Sequence, residues 1–152
     1  MSIVRHDSHH LAAMTPDAIE RVRRLEAAVL QKEQVEIRTS HLLHAGMYAR
    51  TIHIPSGVVL TGALIKVPTT LVVNGDCSVF LGGKNVRVRG YHVMPASAGR
   101  KQVFLTYADT DLTMLFPSKA ETVAEAEAQF TDETDLLLSR KQDAETITIT
   151  GE

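Results

Sequence analysis

The spacing of apolar residues along the chain changes character twice. From Thr15 to about Lys32, Ile19, Val22, Leu25 and Val29 recur every three or four positions, the period of a helix with one apolar face. Thr15-Pro16-Asp17 suits the start of that helix: Thr15 can cap it, Pro16 fits the first helical position, and Asp17 favours the positive end. From Val35 the period falls to two. Val35–Thr39, "MYARTIHI", "VVLTGALIK", "TTLVV", "CSVFL", "NVRVRG", "YHVM", "QVFLTYA" and "LTMLF" read as short strands. Between them stand Gly-, Asn- and Asp-bearing turns such as "PSG", "NGD", "GGK" and "DTD". No helical segment interrupts residues 35–116, so the pattern predicts an antiparallel sandwich or barrel rather than a βαβ layout.

After Pro117 the helical period returns. "SKAETVAEAEAQF" carries Ser118 with Glu121 three residues on, a capping-box spacing, and "TDETDLLLSRK" reads as a second cap and helix. The tail "QDAETITITGE" alternates Thr and Ile, a pattern suited either to a strand added to a neighbour's sheet edge or to a frayed end. Ile147 and Ile149 are therefore the expected oligomer contacts. The expected fold class is mainly β: a single antiparallel jelly-roll barrel with an N-terminal helix and a C-terminal helical segment. Its parts are an arm (1–14), the helix (15–33), the barrel (34–117), and the C-terminal helices and tail (118–152).

Composition narrows the field without choosing a function. A chain of 152 residues, 44% hydrophobic and 22% charged, is of a size and make-up for one globular domain. The net charge of -2 gives no pull towards nucleic acid or anionic membrane. No apolar run approaches the roughly 18–20 residues of a membrane span. The start, "MSIVRHDSHHLAAM", lacks the cationic and apolar regions of a secretory signal. Cys77 is the only cysteine, so neither an internal disulfide nor a Cys-rich zinc site is available. The expected location is the cytoplasm, with no membrane and no nucleic-acid partner.

Residues 45–116 resemble the cupin-like, double-stranded β-helix pattern, and more narrowly the small cupin-like proteins of phage and prophage genomes. Tyr48, Ala49, Arg50, Ile52, Ile54, Pro55, Gly57, Thr61, Gly62 and Lys66 match the first part of that pattern. Gly75 and Val79 match the next, and Pro95, Gly99, Lys101, Tyr107, Ala108, Asp109, Thr110 and Thr113 the last. The resemblance implies a jelly-roll, a bacterial host cytoplasm and incorporation into a virion. It also implies where a metal would sit: metal-binding cupins carry two histidines and a carboxylate on inward strand positions. The matching stretch here is Leu64-Ile65-Lys66-Val67-Pro68, with Ile65 where phage relatives often have histidine. His41 and His44 do not share a strand face at a spacing of three, and His53 with His92 makes an incomplete set. No metal and no cofactor is expected.

The remaining candidate chemistry is a pocket for a small anion. Lys66, if turned inward, needs an anionic partner. Arg100 and Lys101 sit in the Gly-containing "SAGRK" loop, a setting that holds phosphate or carboxylate. His53, His92 and Tyr107 complete the expected ligand-binding set. Cys77 lies within a strand and reads as a buried, inert thiol. No Ser/His/Asp spacing or phosphate loop is visible. Three readings follow: a non-catalytic, homo-oligomeric jelly-roll working with other phage structural proteins; a barrel that sequesters a small anionic ligand; and a metal-independent, epimerase- or lyase-like enzyme with His53 or His92 as base opposite Tyr107, for which no partner Asp stands at a suggestive spacing.

Overall fold

A computed structural model describes residues 10–152. Helix α1 spans Pro16–Val29, and the Thr15 hydroxyl accepts from the Ala18 backbone N–H. Strands β1 (Arg38–His44), β2 (Met47–Ile54), β3 (Val59–Thr61), β4 (Thr69–Phe80), β5 (Asn85–Ala96), β6 (Val103–Thr106) and β7 (Thr110–Pro117) follow. Then come α2 (Val123–Phe130), a 3-10 turn (Thr134–Leu136), the four-residue α3 (Leu138–Lys141) and β8 (Glu145–Ile149). The strands form one curled sheet in the order β3-β6-β4-β7-β2-β1-β8, with β5 against β4. This is a mainly β jelly-roll with helices at both ends, antiparallel as expected except where β8 joins β1 in parallel. None of the described helices is long and apolar enough to cross a membrane.

The sequence breaks β4 and β5 where the chain runs on. "NGD" at 74–76 is not a turn. β4 stays extended through it and changes partner there, pairing with β7 over Thr70–Asn74 and with β6 over Cys77–Phe80. Gly75 makes this corner possible. Its φ is +153°, and a Cβ there would stand 2.4 Å from Thr110 Oγ1. The reverse difference occurs at "VVLTGALIK", where ladder pairing ends at Thr61 and only Ile65 makes a further bridge, to Arg100.

Alternation along the strands points Leu71, Val73, Cys77, Val79, Val88, Leu112 and Phe116 into one core. Burial raises the Cys77 thiol to about 11, which keeps it protonated and unreactive. Of the N-terminal arm, residues 1–9 lie outside the described residues. Leu11 is fully buried, and its backbone exchanges hydrogen bonds with Pro95 and Ser97. The cap of α2 is Thr122, which accepts from Glu125 N–H, while Ser118 instead bonds Gln129 and Ala120. Four residues of sequence therefore separate the expected cap from the real one.

β8 lies parallel to β1 of its own chain, with Ile147 beside His41 and Ile149 beside Leu43. Both isoleucines are half exposed. Lys101 is wholly buried and is held by Glu26 of α1 at 3.0 Å and Glu133 at 2.7 Å, and Glu133 also takes Arg23 at 2.9 Å. One buried cation thus ties the N-terminal helix, the segment leading into β6 and the C-terminal segment together.

Candidate functional site

Inside the curl lies a cavity of about 120 Å³, against the roughly 10–15 Å³ that one water occupies. Ile52, Leu60, Leu71, Phe104, Leu112 and Met114 form its apolar walls. Phe130 at the end of α2 and Leu136–Leu138 cover it. The helices after the barrel thus pack on their own sheet. Besides Thr61, three polar residues line the cavity: Arg50, Arg100 and Gln102.

These three differ in what they already hold. Arg50 Nη1 donates to Glu127 Oε2 at 3.0 Å and to Ser139 Oγ at 3.1 Å, and its guanidinium lies 5.6 Å from the Phe130 ring centroid. Its charge is matched. Arg100 is 2% exposed and has no carboxylate partner among the described residues. Nη1 donates to Ser97 O at 2.6 Å and Nη2 to Thr69 Oγ1 at 2.7 Å. Burial alone lowers its pKa, to about 10, so it stays charged at neutral pH. Nε is buried with no partner, and so is Nε2 of Gln102. Two orphaned donors, one on an unmatched cation, thus belong to residues that line a mainly apolar cavity.

The other expected ligand residues lie elsewhere. Lys66 points outward and pairs with Asp132 at 2.7 Å, while Ile65 faces the cavity. Alternation explains this, since Ile65 and Lys66 fall on opposite faces. Lys101 faces away from the cavity and is spent on Glu26 and Glu133. Tyr107 is at the surface, hydrogen-bonded to Ser78 at 2.8 Å under the Arg87 guanidinium. His92 Nε2 donates to Arg89 O on its own strand. His53 lies on the outer face of the sheet, with Asp111 2.8 Å from Nδ1 and Ser40 3.1 Å from Nε2.

A buried network that sequence reading misses joins the cavity to β8. His41 Nε2 lies 2.7 Å from Glu145 Oε1 and Nδ1 lies 2.7 Å from the Tyr48 hydroxyl. A carboxylate only accepts, so Nε2 carries the proton and Tyr48 donates to Nδ1. Burial lowers the His41 pKa and raises that of Tyr48 to about 12, so both are neutral at pH 7. His41, Glu127 and Glu145 bring ligand atoms within 4.8 Å of one another. Those atoms do not fit a metal. Arg140 and Arg50 with Ser139 already take the two Glu127 oxygens, and both His41 nitrogens are engaged. A dication would have to stand beside two guanidiniums.

No family model matches the chain, and no curated protein matches it. Solved structures that it is similar to include KdgF from Halomonas sp., at 19% identity over 58% of this chain and 87% of that one, TM-score 0.45. A cupin-superfamily protein from Desulfitobacterium hafniense is 7% identical over 61% and 87%, TM-score 0.46. Ectoine synthase from P. lautus is 14% identical over 64% and 75%, TM-score 0.49. The fold class rests on strand order and register, not on these likenesses.

Proposed function

We propose that the protein binds a small carboxylate with a compact apolar body inside its barrel. The observation that carries this reading is the pair of orphaned donors, Arg100 Nε and Gln102 Nε2, on two residues that line a mainly apolar cavity. An unmet buried donor costs about 1–3 kcal/mol, and more when it is charged. A carboxylate entering the cavity supplies the missing charge and acceptors together, and its hydrocarbon part meets Leu, Ile, Met and Phe side chains. Bonds between charged groups in such a setting contribute roughly 1.5–3 kcal/mol each. This cavity favours a ligand-sequestering role over the assembly role that the sequence resemblance implies.

The test is a thermal-shift and calorimetric series with short-chain carboxylates, each beside its primary amide. The carboxylates should raise the Tm of the wild-type protein, and Arg100→Met should remove the effect. Equal shifts from the amides, or none from any carboxylate, would overturn the reading.

A further inference from the structure

On the outer face of the sheet, away from the cavity, the register assembles a second arrangement. Arg38 of β1 stands opposite His53 of β2, which stands opposite Asp111 of β7. Ser40 is two residues beyond Arg38 and so on the same face, diagonal to His53. Asp111 accepts from His53 Nδ1–H at 2.8 Å, which fixes the tautomer and leaves Nε2 bare. The Ser40 hydroxyl donates to that nitrogen across 3.1 Å. Hydroxyl, imidazole and carboxylate thus stand in the order that activates a serine, each on a strand fixed by its neighbours.

The serine is also accessible. Ser40 and His53 line an open groove of about 790 Å³ together with Arg38, Glu36, Asp143 and Glu145. Arg38, on the same face of β1 as the serine, is the groove's cation. The three carboxylates outnumber it, so the groove disfavours anionic substrates.

We propose that Ser40, His53 and Asp111 form a nucleophilic site for small uncharged or cationic esters. Ser40 Oγ bonds to the carbonyl carbon as its proton passes to His53 Nε2. The bond to the leaving oxygen breaks, and that oxygen takes the proton and departs as the alcohol. Water repeats the sequence on the acyl-serine, releasing the acid and restoring Ser40. Asp111 holds the imidazole in position throughout.

The test is intact-mass and peptide mapping after treatment with an uncharged fluorophosphonate, alongside hydrolysis of p-nitrophenyl acetate. The expected result is one adduct, on Ser40. His53→Gln slows labelling by roughly 10²-fold, and Ser40→Ala returns p-nitrophenol release to the buffer rate. Circular dichroism checks that these surface variants fold. Absence of an adduct on Ser40, or labelling at an equal rate in His53→Gln, overturns the proposal.

Discussion

Arg50 of β2 and Glu127 of α2 meet at 3.0 Å, both almost wholly buried, and this pair fastens the C-terminal helix over the barrel mouth. Glu127 also takes Arg140, and Ser139 donates to it. Glu127→Ala leaves the Arg50 charge buried and unmatched. The unfolding free energy should fall by about 3–5 kcal/mol, measured by urea denaturation. Arg50→Met combined with Glu127→Leu should recover much of that loss, because the cost lies in breaking the pair rather than lacking it.

Stability should decline on acidification in two stages. His41 has its pKa lowered from 6.5, by burial first and also by the Arg50 charge, against the raising effect of Glu145. The unfolded chain therefore binds a proton that the folded chain resists, and stability falls as pH drops below about 6.5. Burial pushes Glu127 up, but Ser139, Arg140 and Arg50 together hold it below 4.5. Burial likewise pushes Glu133 up, and Lys101 and Arg23 outweigh it. These carboxylates stabilise the fold above about 4.5, and that contribution is lost as pH falls through their lower folded values. Urea midpoints at pH 7.5, 5.5 and 4 should show both steps, and His41→Gln should flatten only the first.

The corner of β4 has no room for a side chain. An alanine Cβ at position 75 would meet Thr110 Oγ1 at 2.4 Å, Thr110 Cα at 2.7 Å and Asp109 O at 2.8 Å. Gly75→Ala should destabilise by about 1–3 kcal/mol, and by more if the β7 end cannot shift. Gly90→Ala serves as the control: its φ is also positive, but a Cβ there meets nothing within 4 Å. Urea denaturation of the two variants measures the difference.

Lys66 and Arg100 should separate cleanly. The Lys66–Asp132 pair is exposed at both ends, so Lys66→Met should change stability by less than about 1 kcal/mol. It should leave the carboxylate-induced Tm shift intact, whereas Arg100→Met abolishes it. Thermal melts with and without the carboxylate check both.

Much of the architecture is legible because period-two alternation is a local signal. "MYARTIHI" coincides with β2 residue for residue. The errors arise where tertiary contacts override local chemistry. Asn-Gly-Asp is a good turn sequence, yet Gly75 serves a change of strand partner that only the position of Thr110 explains. Arg100, Gln102 and Phe104 alternate onto the cavity while Lys101 turns away, and extending the β6 pattern backwards by three residues would have separated the two cations. Ser40 and Asp111 stand 13 and 58 residues from His53, so no spacing rule brings the three together. Strand register does.

The seat of β8 beside β1 has a consequence for synthesis. β1 gains β2 across a tight hairpin, but its other edge stays open until Ile149 is made, about a hundred residues after His44. At the usual ribosomal pace that is an interval of roughly 5–20 s. Throughout it, an unpaired strand edge with an unshielded His41 is exposed to other nascent chains and to chaperones.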